Sequence, residues 1–184
     1  MRLSLTPLRR YVAERYEEPK YEVSSNFSGF EVRRYADSVQ ARVRTEGKNW
    51  KESTGGFRRI AGYIFGRNDS KQMIAMTAPV HIWNDDEGTV MSFTMPSEYS
   101  LDDLPRPDDH GVRLVSYSGR RIAALPFSGL SGPRRASRMK KKLSRMISEN
   151  GLVPIGPAIL AIYDNPTSTL PFLRRNEILQ HIED

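Results

Sequence analysis

Alternating and helix-spaced apolar positions divide this chain into two runs of elements in the same order. Val39, Ala41 and Val43 alternate with Gln40, Arg42 and Arg44, which predicts a half-buried strand over 30–46. A helix is expected over 49–65, because Trp50, Phe57, Ile60, Ala61 and Ile64 recur at helical spacing. Ile74, Met76, Ala78, Val80 and Ile82 then give one apolar face to a strand over 72–83. Pro79 cannot donate to a ladder, so it marks an edge or a bulge there. Asn84-Asp85-Asp86-Glu87-Gly88 turns the chain into a strand over 89–95, with Met91, Phe93 and Met95 on its apolar side.

The second run repeats the scheme. A strand over 112–127 leads to a helix over 133–149, whose stripe is Ala136, Met139, Leu143, Met146 and Ile147. Gly151 is placed to stop that helix, and strands over 157–163 and 174–182 follow. Corresponding starts lie 82 to 85 residues apart, so the pattern reads as two βαββ units related by duplication, about 30–95 and 112–182. Residues 96–111, rich in Pro and Asp, link them. Neither half can easily bury its sheet face alone, so the expectation is one α+β domain over 20–184. Residues 1–19 read as a helical extension capped by Thr6 and stopped by Pro19, with Leu8, Tyr11, Val12 and Tyr16 on one face.

Composition narrows the chemistry. A 184-residue chain with 38% hydrophobic and 27% charged residues is long enough to bury a core. No stretch approaches the roughly 20 apolar residues that span a bilayer, and no secretory h-region leads the chain, which points to the cytoplasm. Cysteine is absent, which excludes disulfides, thiolate haem ligation, iron–sulfur clusters and thiolate zinc sites. Much of the net charge of +6 comes from 134–145, where Arg134, Arg135, Arg138, Lys140, Lys141, Lys142 and Arg145 stand with no acid among them. That run is a solvated helix face, or a docking strip for an acidic partner or membrane surface; it carries no nucleic-acid motif.

Nothing nominates a reaction. The chain has no phosphate-binding glycine loop, no zinc-protease helix motif and no nucleophile-elbow serine. The acid pairs Asp85/Asp86, Asp102/Asp103 and Asp108/Asp109 all fall in turns. The three histidines, His81, His110 and His181, are far apart in sequence, and each taken singly reads as a non-ligand. Met76 and Met91 read as packing residues and Tyr35 and Tyr63 as core-edge residues.

Four strings, in order, carry more. Glu31-Val32-Arg33-Arg34-Tyr35, Ile74-Ala75-Met76-Thr77-Ala78-Pro79-Val80, Phe127-Ser128-Gly129 and Arg174-Arg175-Asn176-Glu177 together resemble the SOUL family of haem-binding proteins. The match extends over nearly all of the chain after Pro19, including Tyr63-Ile64-Phe65-Gly66-Arg67-Asn68 and Leu104-Pro105-Arg106-Pro107-Asp108. The resemblance implies a distorted antiparallel β-barrel or sheet flanked by two long helices, the fold shared with bacterial gyrase-inhibitor-like effector-binding domains. It also implies haem or a related tetrapyrrole as ligand, in a pocket along the first helix. Some members carry an axial histidine immediately before the tyrosine of the first string; Arg34 stands there in this chain. Other members hold haem by apolar contacts and basic residues at the propionates, which this chain suits better.

Haem is a flat apolar disc with two carboxylates on one edge, so it needs a slot and a cationic rim. By helical spacing, Gly56, Phe57, Ala61 and Ile64 offer the slot, and Arg58 or Arg59 the rim. Gly55 and Gly56 are costly inside a helix and either make room for a ligand or let the helix lie close on its sheet. The leading expectation is a haem carrier, buffer or sensor. The alternatives are a small-molecule effector-binding module and a haem-modifying enzyme.

Overall fold

In the computed structural model, which describes residues 16–46, 53–164 and 169–184, nine strands form one antiparallel sheet with two helices on one face. The strands are β1 (Tyr21–Phe27), β2 (Phe30–Tyr35), β3 (Ser38–Thr45), β4 (Val80–Asp85), β5 (Gly88–Thr94), β6 (Val112–Tyr117), β7 (Arg121–Ser128), β8 (Pro154–Ile162) and β9 (Arg175–Ile182). The helices are α1 (Ser53–Ile64), between β3 and β4, and α2 (Pro133–Glu149), between β7 and β8. The order across the sheet is β1-β2-β7-β9-β8-β4-β5-β3-β6. Among the described residues, no helix is long and apolar enough to cross a membrane.

The two long strands expected over 30–46 and 112–127 are each broken once, into β2 and β3 and into β6 and β7. The breaks coincide. Glu31 pairs with Ala124 and Arg34 with Arg121 before them, Ser38 with Tyr117 and Val43 with Val112 after them. That register is continuous, so one bent antiparallel ribbon joins the two ends of the sheet and curls it into a half-barrel. Two hydrogen bonds hold the bend: the Tyr35 amide donates to Arg120 O at 3.1 Å, and the Gly119 amide to the Asp37 carboxylate Oδ1 at 2.6 Å.

The centre of the sheet is the β4–β8 pair, where His81 opposes Ala161. Outward from it the partners are Ser92 then Arg42 on one side, and Glu177 then Pro126 on the other. Directly opposed residues share a face of a sheet. His81, Ser92, Arg42 and Glu177 therefore project to the concave side, away from the helices. On the convex side α1 buries Ile60, Tyr63 and Ile64 against Val43, Ile82, Met91 and Phe93. There α2 buries Ala136, Leu143 and Ile147 against Val32, Leu125, Ile178 and Ile182. Each fully buried aliphatic side chain there contributes about 1.5–3 kcal/mol.

Three expectations are corrected. Residues 72–79 are not a strand; Ile74 and Ala78 are buried in that segment without a ladder, and the Ala78–Pro79 peptide is cis. β1 is an additional strand, with most of its side chains exposed. Residues 16–19 are not helical, and Glu17 instead bridges Thr77. The rest of the expected N-terminal helix, and Trp50, lie outside the described residues.

Candidate functional site

On α1, the expected site residues divide between two faces. Gly56, Ile60 and Ile64 turn inward. A Cβ at Gly56 would stand 3.1 Å from Val43 Cγ1, so glycine there lets the helix lie close on β3. At Gly55 a Cβ would meet no described atom within 4 Å. Gly55→Ala is accordingly expected to raise stability by up to about 1 kcal/mol, while Gly56→Val costs about 1–3 kcal/mol by overpacking. Chemical denaturation of the two variants checks both signs.

The flank of the helix carries Phe57, 39% exposed with its ring 5.7 Å from that of buried Phe93, and half-buried Ala61 one turn later. Phe65 follows at the same spacing; its amide still donates to Ala61 O at 2.9 Å, and it is 54% exposed. Phe65 bridges Met73, which is 64% exposed. This apolar stripe has cations beside it. Arg58 is exposed, and the Arg67 side chain crosses Gly62, where a Cβ would be 3.1 Å from Arg67 Cδ. Arg59 is engaged elsewhere, in a bidentate pair with Asp109 at 2.7 Å on each arm. That pairing holds the Asp109 carboxyl down at about 2. Phe65, Met73 and Arg67 had not been picked out as site residues, although Phe65 stands eight residues after Phe57, which is the signal that finds it.

The concave face is the second feature. A groove of about 370 Å³ lies between the centre of the sheet and the bend of the ribbon, and it is lined from eight of the strands and their loops. His81, from β4, and His181, from β9, both line it. The expectation had kept these histidines apart; only the curl of the sheet brings them to one cavity. His181 Nε2 hydrogen-bonds the Tyr117 hydroxyl at 2.6 Å. His81 is 8% exposed and its Nε2 has no hydrogen-bond partner among the described residues. Burial pushes His81 down to about 4, with His181 and Arg42 adding to it and Glu177 opposing. Arg42 donates from Nε and Nη2 to Gln40 Oε1 at 3.0 and 2.9 Å and sits 5.6 Å above the Trp83 ring. Burial works against its charge as well.

The four strings turn out to hold the frame. Arg33 makes a bidentate pair with Glu177, 2.8 Å on each arm, and Tyr163 donates to Glu177 Oε2 at 2.5 Å. Asn176 Nδ2 donates to Gly129 O at 2.8 Å, and the Gly129 amide donates to Arg174 O at 3.0 Å. These bonds tie β9 down through Asn176 and Glu177. Gly129 takes φ of 99°, a conformation that favours glycine. Arg34 is exposed and reaches Asp184 at 3.4 Å. His110 is exposed, as its linker position suggested. Along α2 the basic run is mostly exposed. No group of three or more acids or histidines among the described residues is set to hold a metal ion.

Comparison with known proteins adds three findings. The family model described as SOUL heme-binding protein matches residues 16–181. Heme-binding protein 2 of Homo sapiens and of Mus musculus are each 26% identical over 132 residues, 67% of this chain. The chain spans 64% of the length of those curated relatives. Among solved structures, the EcmrR C-terminal domain has a TM-score of 0.65 at 9% identity, covering 89% of this chain and 98% of that one. A hydrolase from Listeria innocua has a TM-score of 0.63 at 12% identity, covering 87% and 94%. SAV2435 bound to tetraphenylphosphonium has a TM-score of 0.52 at 10% identity, covering 84% and 93%. At these identities the likeness shows a common fold.

Proposed function

The chain belongs to the SOUL heme-binding family, and from that premise we propose that it holds haem or a related tetrapyrrole along the exposed flank of α1. The observation that carries this reading is the stripe of exposed Phe57, Phe65 and Met73 around half-buried Ala61, with Arg58 and Arg67 beside it. A run of apolar side chains this exposed is unusual on a soluble surface and marks a place where something docks. A porphyrin face would cover the stripe, and the two guanidinium groups would take the propionates through charge-assisted hydrogen bonds. When bound, the group supplies an iron centre. The chain's own part is to shield one porphyrin face and neutralise its carboxylates. Gly56 and Ile64 contribute from beneath, by seating the helix on the sheet.

A face closed on one side only suits a carrier, buffer or sensor that takes up and releases its ligand. None of the residues of the stripe is a histidine; His81 lines the groove on the other side of the sheet, and Arg34 occupies the position where some members carry an axial histidine. Affinity then rests on burial and on the propionate contacts.

Arg58→Ala combined with Arg67→Ala is expected to weaken hemin binding about tenfold or more, from the loss of two hydrogen bonds to charged groups. Arg138→Ala combined with Lys142→Ala, on exposed α2, is the control and should leave affinity unchanged. Absorbance titrations of both double variants decide it. A larger effect from the α2 pair would move the ligand to the other helix.

A further inference from the structure

We propose that the concave groove is a separate ligand site, built for a small carboxylate with an aromatic body. The first observation is Arg42. Its guanidinium is half buried in the groove wall, forms no ion pair among the described residues, and has only the neutral Gln40 amide as acceptor. A buried cation without an anion is costly unless something else supplies one. Among the described residues no Asp or Glu lines the groove, and Arg120 lines it as a second cation. Glu177, whose charge acts on His81, is already held by Arg33 and Tyr163. Among the described residues nothing supplies the anion, which leaves that place open to a ligand.

The second observation is His81. It lines the same cavity, is 92% buried by its 8% exposure, and its Nε2 has no partner. Buried polar atoms are nearly always satisfied, so an orphan one on a side chain that lines a cavity is a contact that a small movement of the ring could offer to a ligand. In its Nε2–H tautomer the ring donates to the same carboxylate that the Arg42 fork receives. The rest of the lining accounts for the ligand's body. Trp83 and Tyr117 supply aromatic surface, and Ile122, Ile159 and Leu179 make an apolar wall. A volume of about 370 Å³ is at the small end of the range for small-molecule sites, roughly 300–1,000 Å³. The site lies across the sheet from α1 and is independent of the tetrapyrrole reading.

The test uses the full chain with 2-naphthoate as probe and 2-naphthamide as its neutral twin, by isothermal titration calorimetry. The acid should saturate at one per chain and bind at least tenfold more tightly than the amide. Arg42→Gln should remove that preference, and Arg42→Lys should keep part of it. His81→Phe should weaken the acid several-fold. Arg42→Gln should melt no lower than the wild type, because it removes an uncompensated charge; this separates a binding role from a structural one. Hemin affinity should be unchanged in every groove variant. Equal binding of acid and amide, or tighter binding of tetraphenylphosphonium than of the acid, would overturn the proposal. So would loss of hemin binding in Arg42→Gln or displacement of hemin by 2-naphthoate, since the groove would then be the haem site itself.

Discussion

Glu177→Ala is expected to destabilise the fold by about 3–5 kcal/mol, the largest single effect in this chain. Both side chains of the Arg33–Glu177 pair are buried, and the carboxylate takes both arms of the guanidinium and the Tyr163 hydroxyl. Burial works against the Arg33 charge, and its bonds to Glu177 with the help of Tyr35 more than restore it, holding the group above its usual range. Removing the carboxylate takes both of its bonds from that buried cation, leaves it only the Glu31 carboxylate at Nε, 2.5 Å away, and leaves the Tyr163 hydroxyl without its acceptor. Arg33→Leu combined with Glu177→Leu should lose less than Glu177→Ala alone, because the only charge left without its partner is that of Glu31, which is partly exposed. Urea unfolding of the wild type, the single and the double variant measures this. A loss below about 1 kcal/mol in the single variant would mean that the pair is not desolvated.

The second large effect is a pH dependence owed to His81. Above pH 6.5 the ring is neutral both folded and unfolded, and it contributes nothing to the pH slope. Between 6.5 and about 4 the unfolded chain takes up a proton that the buried ring refuses, so stability falls as the pH falls through that window. The interval corresponds to roughly 3 kcal/mol at 1.36 kcal/mol per unit, and below about pH 4 the slope from this group ends. His81→Gln should flatten that part of the profile, so the stability difference between wild type and variant changes by about that amount from pH 7 to pH 4. Parallel profiles would mean that the ring is protonated in the folded protein.

Much of the fold was legible because the signals were local. The stripe of α2 gives Pro133–Glu149 as expected, and Gly151, at φ of 70°, stops it. The two long strands were legible too, but their shared break was not. It is held by contacts between Asp37 and Gly119 and between Tyr35 and Arg120, far apart in sequence. Residues 72–79 misled because Ile74 and Ala78 bury at strand spacing without any partner strand. β1 has almost no alternation, since its side chains are mostly exposed.

The candidate sites follow the same rule. Phe57, Arg58 and Ala61 were legible from helical spacing, yet spacing alone did not tell which side of α1 meets the sheet. Gly56 and Ile64 proved to face inward, and Arg59 proved to be held by Asp109, fifty positions away. The groove had no local signature at all. His81, Arg42, Tyr117 and His181 meet only because the ribbon bends and the sheet curls.

The measurement that bears most directly on the central claim is a hemin titration of the purified chain at physiological salt, following the Soret band. The account predicts a saturating shift at one hemin per chain, with micromolar or tighter affinity, abolished by Phe57→Asp and unaffected by His81→Ala. A featureless rise that never saturates would contradict it, as would a saturating shift that Phe57→Asp leaves intact.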